Sequence, residues 1–562
     1  MTRLSLLALA LLGPGSLASA QTTLLTVPGR AAGDRLGQAV AVVGDVDGDL
    51  VDDWIVGAPL SDLAGNMSGS ALVVSGLSGA VLHELVGDSP GDLLGTSVAG
   101  ADLDGDGIGD LLLGAPADDT TGVDSGTVYA LSGFDRSLLW AAHGAGGGDN
   151  FGYSLSTVPD TDGDGLPEVL VGAWTADGRQ PNAGEARLLD GATGAVLHTL
   201  RGESSYDFYG RSVAGLSDVD GDGFGDLLIG APGESTQAAG AGSVYLVSGA
   251  TGEVLSVTRG GATGDALGSS VASAGDLDGD GSSDLLLAAP GSDVSGANAG
   301  RVEVRSGASG ALLLEFFGAS AGDNIGAALA GGEDLDGDGT PDLVIGVPAA
   351  DPSGLSSGCA LLYSGATGLL LGEVLGQQAG GRYGSALAVA PDINADGLAE
   401  VLIGAYGEDP GPGGFTGVLH AVSLGAPTEL IRNYCTSTAN SAGLSAVMTS
   451  SGTSSVGANQ LSLGVQGAVP GTQGLFFYGA EEIQLPFGLG FRCVGGQLYR
   501  IATSVTDAGG NSLLPVDLAN PRVESGRILS GSTWKFQYWY RDALAIGGNF
   551  NLSDGLSVTF LP

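Results

Sequence analysis

Asp102, Asp104, Asp106 and Asp110 stand at positions one, three, five and nine of the stretch Asp102–Leu113. Carboxylates spaced this way along a tight, glycine-bearing loop turn their oxygens towards one point. An all-oxygen cage of that charge suits Ca²⁺. An EF-hand would need a glutamate at position twelve and a helix after it. Position twelve here is Leu113, and the loop feeds a short apolar run closed by Gly114-Ala115-Pro116. The chemistry is therefore that of a metal-bearing turn in front of a buried strand.

The pattern occurs seven times. The other sets are Asp45, Asp47, Asp49 and Asp53; Asp160, Asp162, Asp164 and Glu168; and Asp218, Asp220, Asp222 and Asp226. Then come Asp276, Asp278, Asp280 and Asp284; Asp334, Asp336, Asp338 and Asp342; and Asp392, Asn394, Asp396 and Glu400. Asp/Gly turns also cap strands without metal, but such turns do not need four carboxylates converging. No nucleophile or base recurs beside the loops, so bound metal would be structural. Up to seven Ca²⁺ ions are expected. Sites two, four, five and six, with four aspartates and a glycine at position six, should fill first. Site seven, with Asn394, should fill last.

The elements that must position these loops follow from their spacing. The first aspartates lie 57, 58, 58, 58, 58 and 58 residues apart, and a period that regular marks a repeat architecture. Each repeat holds four strand-like pieces. In the second repeat these are residues 96–101, 110–114, 126–132 and 137–142. Four short strands per repeat, seven times over, predict an all-β, seven-bladed β-propeller. The seventh repeat stops after its third strand, while Thr23–Val27 ahead of the first loop aligns with fourth strands such as Val81–Leu85. The N-terminal strand is therefore expected to close the ring and leave no sheet edge open.

An aromatic or apolar residue plus glycine opens each repeat: Leu36-Gly37, Leu94-Gly95, Phe151-Gly152, Tyr209-Gly210, Leu267-Gly268, Ile325-Gly326 and Tyr383-Gly384. Gly-Ala-Pro or a variant closes each second strand, from Gly57–Pro59 and Gly114–Pro116 to Gly404–Tyr406. With the acid loop between them, these motifs resemble the FG-GAP repeat of integrin alpha-subunit propellers over residues 23 to 424. The resemblance implies calcium on one face and ligands or partner subunits on the other. Two departures stand out: Leu50 replaces the loop glycine of site one, and Asn394 replaces an acid in site seven. No inserted adhesion domain breaks the spacing, so integrin-type ligand binding is not implied.

Residues 1–20 read as an export signal, with Arg3, an apolar run Leu4–Leu12 and small residues Ala18-Ser19-Ala20 before Gln21. The apolar run is too short to span a bilayer. A secreted or cell-surface protein is expected. The net charge is −44, from 63 acids against 19 bases. That balance argues against nucleic acid or an anionic membrane as partner, since both need a basic footprint. Of the 63 acids, 27 occupy the loop positions, so without metal their repulsion opposes folding.

The propeller is expected over 21–424, a linker over 425–431, and a C-terminal domain over 432–562. There the period vanishes and Trp534, Phe536, Tyr538 and Tyr540 alternate along one strand, which suggests a small β-sandwich. The segment resembles a C-terminal module of exported bacterial proteins. Its aromatic stripe is either core or a sugar platform. Cys435 and Cys493 are the candidate disulfide of an oxidising compartment, and Cys359 reads as a buried free thiol.

Four histidines, His83, His143, His198 and His420, fall in separate repeats and form no catalytic spacing. The leading reading is an exported calcium-binding propeller that acts as a monomeric binding or adhesion module for a surface protein or glycan, without catalysis. A propeller-type polysaccharide lyase or hydrolase and a structural surface-layer component remain open. Strand topology sends the loops between second and third strands, and those between blades, to the face opposite the acid loops. That ligand face collects Trp174, Arg179, Tyr206, Arg382, Tyr406 and Phe415, with Phe208 and Tyr383 packing between blades.

Overall fold

The computed structural model describes residues 21–394, 396–410, 414–424, 431–451, 461–518, 527–528, 532–543 and 550–560. Residues 1–20, expected as an export signal, and residues 425–430 of the expected linker lie outside the described residues. Two compact units divide the chain near residue 426.

The first unit is all β, in seven four-stranded antiparallel sheets. The first sheet runs Ala39–Gly44, Asp53–Ala58, Ser70–Val74 and Val81–Val86 in spatial order. Five more follow the same order through Leu370–Leu375. The last holds Ala386–Ala390, Glu400–Ala405 and Val418–Ser423, with the N-terminal strand Thr22–Pro28 as its outermost member. Thr26 is paired with His420 and Pro28 with Val418. Innermost strands pack against those of the next sheet in cyclic order, and Ala386–Ala390 lies beside Ala39–Gly44.

Burial explains the residue pattern. Six of the seven second strands have six residues, every one buried, as in Asp53–Ala58 and Asp226–Ala231. A strand covered on both faces by neighbouring sheets needs a continuous apolar run instead of alternation. Fourth strands are far less covered: in Val196–Arg201 no residue is fully buried. The apolar cores lie between sheets: Val27 and Leu419 of the last sheet share one with Trp54 and Leu72 of the first. Burying a residue such as Val27 contributes about 1.5–3 kcal/mol.

Glycine pairs set how closely sheets approach. A Cβ at Gly114 would lie 2.1 Å from the carbonyl oxygen of Gly152 in the next sheet. The same approach recurs from Gly57 to Gly95, Gly172 to Gly210, Gly230 to Gly268, Gly346 to Gly384, and Gly404 back to Gly37. The two glycine motifs of the repeat are thus halves of one contact between neighbours. Ala288 breaks the series. The first strand of the sheet that follows, Leu329–Gly331, has three residues where its counterparts have five or six.

The second unit pairs a five-stranded sheet with a three-stranded one. The larger has the order Ile431–Tyr434, Phe550–Thr559, Thr533–Arg541, Gln473–Gly479, Tyr499–Val505. The smaller contains Val447–Ser451, Ser462–Gln466 and Ser512–Pro515, and a hairpin spans Glu481–Phe487 and Gly490–Gly495. Met448, Leu463 and Val465 of the smaller sheet share a core with Phe476, Phe536, Tyr538 and Tyr540 of the larger. Phe536, Tyr538 and Tyr540 are fully buried. The aromatic stripe is core, which removes it as a sugar platform. Cys435 and Cys493 are joined by a disulfide, and Cys359 is a buried free thiol.

Candidate metal centres

Each acid loop joins the first and second strands of a sheet and is shaped by its own carboxylates. In site one, Asp45 Oδ1 accepts the Gly48 N–H (2.7 Å) and Asp45 Oδ2 accepts the Leu50 N–H (2.8 Å). Sites two, four and five repeat these bonds at Asp102, Asp218 and Asp276. In site three Asp160 does the same, and in site seven Asp392 accepts the Gly397 N–H. The loop thus wraps around its first aspartate, and the third and ninth residues face the same point.

The ninth residue is fully buried in every repeat: Asp53, Asp110, Glu168, Asp226, Asp284, Asp342 and Glu400. The five aspartates among them are held from within the loop and from the turn between third and fourth strands, and Glu168 and Glu400 from within the loop. Asp53 accepts the Val46 N–H (2.9 Å) and the Gly76 N–H (3.0 Å). Asp110, Asp226, Asp284 and Asp342 accept Gly133, Gly249, Gly307 and Gly365 in the same way. Sequence reasoning missed these glycine donors. The constant offset of 23 residues between acid and glycine was the signal that could have found them.

The structure brings together fewer carboxylates than expected at some sites. In site three, ligand atoms of Asp160, Asp162, Asp164 and Glu168 lie within 4.8 Å of one another. In sites one, two and four the cluster is Asp45, Asp47 and Asp53; Asp102, Asp104 and Asp110; or Asp218, Asp220 and Asp226. The fifth-position Asp49, Asp106 and Asp222 accept the N–H two residues on, and Asp164 makes the same bond in site three while still joining its cluster. Asp280 and Asp396 make the same bond in sites five and seven. Site seven differs in kind: Asn394 Nδ2 donates to Glu400 Oε1 (2.5 Å). An amide proton there occupies the ninth-position carboxylate.

Electrostatics agree with a cation site. Burial pushes Asp53 and Asp226 up to about 6, against the amide N–H groups that pull them down. Burial raises Glu168, Asp342 and Glu400 to about 7, and the neighbouring loop aspartates add to the rise. Asp110 and Asp284 are raised by the same cause. Glu168 Oε1 is buried with no hydrogen-bond partner. Such donor sets are all oxygen, crowded and short of positive charge, and they fit a hard divalent cation.

The opposite rim is built by loops that hydrogen-bond across sheets. Leu93 and Leu94 donate to Met67 and Ser68, Phe208 and Tyr209 to Asn182 and Ala183, and Leu36 to Thr416. Tyr206 and Phe415 project from this rim at 57% and 58% exposure, and Arg179 is exposed near Glu203. Trp174 is half-buried, its ring 5.4 Å from Tyr153 and 5.2 Å from Phe208, with Arg211 over its face. Tyr406 lies under Arg35, and Arg382 is half-buried. Trp174 and Tyr406 therefore pack, and Tyr206 and Phe415 are the ones left open. Tyr383 is buried against His420.

The histidines stay apart. His83 meets Arg136, His143 meets Thr127, His198 meets the Ala250 carbonyl, and His420 meets Glu408 at 3.0 Å. His420, Glu408, Glu373 and Tyr383 line a cavity of about 360 Å³. Burial, with the charge of Glu408, holds the Tyr383 phenol far above its ordinary range. Among the described residues no helix is long and apolar enough to cross a membrane.

Comparison with known proteins places the repeats. The FG-GAP repeat pattern matches residues 94–131, 151–189, 209–247, 267–304, 325–359 and 383–421. The first sheet falls outside these matches but has the same four strands. Relatives include integrin alpha-5 of Xenopus laevis, 33% identical over 218 residues, which is 36% of this chain and 20% of that integrin. Human integrin alpha-IIb is 36% identical over 225 residues, again 36% of this chain and 20% of the relative. Integrin alpha-V of Gallus gallus is 28% identical over 239 residues, 38% of this chain and 22% of that integrin. The chain thus spans about a fifth of the length of these relatives.

Proposed function

This chain carries FG-GAP repeats like those of integrin alpha chains, and we propose that it is a calcium-stabilised binding or adhesion module working outside the cell, without catalysis. The observation that carries the reading is a division between two rims. One rim repeats an oxygen cage tied to the backbone of the neighbouring turn. The other is braced by hydrogen bonds from sheet to sheet and presents exposed aromatics on loops. Calcium would be held by the first, third and ninth residues of each loop, joined by the fifth where its carboxylate turns inward. Its chemistry there is to neutralise crowded carboxylates. The partner, a surface protein or glycan, would meet the other rim, where rigid loops and open aromatics favour contact. The names of the relatives support adhesion, although the activity of whole integrins belongs to proteins about five times as long as the matched region.

The test is a surface-protein and glycan array probed with the exported protein, in calcium and in chelator. Tyr206→Ala combined with Phe415→Ala is expected to weaken the calcium-dependent signal about tenfold or more with an unchanged melting temperature. An equal signal from variant and parent would move the partner site off this rim. Turnover of an acidic polysaccharide by the protein would replace the binding reading with the lyase alternative.

A further inference from the structure

Asp92 departs from its counterparts. The turn that enters the first six repeats places an aspartate two residues before the Leu-Gly, Phe-Gly, Tyr-Gly or Ile-Gly pair. Asp34, Asp149, Asp207, Asp265 and Asp323 each accept a hydrogen bond from the backbone N–H three residues earlier, at 2.6–2.9 Å. Asp92 sits in a turn that carries Pro90 and accepts no such bond among the described residues. It is nevertheless only 6% exposed. Its carboxylate lies with those of Asp88 and Asp118, their oxygens within 4.8 Å of one another. Asp118 is fixed in place by the Thr120 N–H (2.8 Å) and the Tyr129 hydroxyl (3.0 Å). No basic side chain forms an ion pair with any of the three among the described residues.

Asp88 and Asp92 open on a cavity of about 190 Å³ whose walls are mainly Leu85, Leu94, Leu113 and Leu131. We propose that this cavity binds a primary alkylammonium group, with its head on the carboxylates of Asp88, Asp92 and Asp118 and its alkyl chain among the leucines. An –NH₃⁺ head carries three donors, one for each carboxylate. A hard divalent cation takes six to eight oxygens, and leucines cannot complete such a shell. An apolar cavity of about 150 Å³ holds benzene, so this one has room for a chain of about four or five carbons. Burial, the charge of Asp118, and then a side-chain hydrogen bond to Asp88 and its charge push Asp92 up to about 7, a cost that a bound cation would lower. The same head and chain occur in a lysine side chain and in a free alkylamine.

The test is calorimetric titration of the full protein in excess calcium, which keeps the acid loops occupied. The probes are n-butylammonium chloride, Nα-acetyl-lysine N-methylamide and, as the uncharged control, n-butanol. Butylammonium is expected to bind one to one and butanol not at all. Asp92→Asn removes a charged acceptor and Leu131→Trp fills the cavity. Each is expected to weaken butylammonium by about tenfold to a hundredfold, the loss of one charge-assisted bond or of the chain's room. Tighter binding of the lysine amide than of butylammonium would assign the natural ligand to a protein lysine, and the reverse order to a free amine. Absence of butylammonium binding to the parent protein overturns the proposal. So does unchanged binding in both variants, with melting curves showing that they fold. A calcium count that falls by one in Asp92→Asn, without amine binding, would assign the cluster to metal instead.

Discussion

At Asn394 a single amide changes what a loop can do. Its Nδ2 donates to Glu400, so the group that stands third in the loop stabilises the ninth-position carboxylate without a metal. In the other six loops the third residue is an aspartate, whose charge beside the ninth residue calls for a cation. Asn394→Asp should therefore create a seventh full-charge site. Metal analysis of protein dialysed at limiting calcium is expected to show about one more bound ion per chain than the parent. An unchanged count would mean that loop shape, not charge, limits this site. Leu50 tells a related story: it holds φ of +71° with a side chain 92% exposed. Nothing packs against it to offset a conformation that L-residues adopt at a cost of about 1–2 kcal/mol.

Between elements, the contact of two glycines decides how closely sheets stack. Gly114 has no room for a Cβ, because the Gly152 carbonyl oxygen would lie 2.1 Å away. Gly114→Ala must push the third sheet off the second or twist the fully buried strand Asp110–Ala115. A loss of about 1–3 kcal/mol is expected, the usual cost of overpacking, read as a lower denaturant midpoint. The same substitution at Gly48, where a Cβ meets nothing within 4 Å, separates this steric effect from the backbone cost, because Gly48 pays only for its positive φ. Equal losses at the two positions would show that inter-sheet contact is not the cause.

For the whole molecule, net charge and architecture are linked. A chain at −44 folds seven groups of carboxylates into tight loops, and burial already drives several towards protonation. If the loops hold calcium, binding to the folded form alone stabilises it by mass action. The gain is about 3–4 kcal/mol per site at a hundred to a thousand times the dissociation constant. Melting followed by calorimetry is expected to show a much higher transition for the repeat unit in calcium than in excess chelator. The disulfide-linked C-terminal unit lacks these loops and should shift little. Coincident melting in both buffers would reduce the acid loops to ordinary turns.

The sequence alone determined the repeat, the four strands in each unit and the acid loops, because all three are local patterns recurring every 58 residues or nearly so. A periodic pattern is legible since each copy confirms the others, and the spare strand Thr23–Val27 could be matched to the missing fourth strand on the same grounds. Tertiary structure alone decided what lies between repeats. The glycine that grips Asp53 is Gly76, 23 residues away across a sheet, and Gly57 touches Gly95 of the next sheet. Trp174 looked like a contact residue until its neighbours Tyr153, Phe208 and Arg211 were in place. The alternation of Phe536, Tyr538 and Tyr540 fitted a core or a platform equally well until a second sheet covered it. Asp92 carries the same letter as Asp149 and Asp207, yet it sits with two more carboxylates beside a cavity. Residue type and spacing specify what a side chain can do; what surrounds it comes from chain segments distant in sequence, and those meet only on folding.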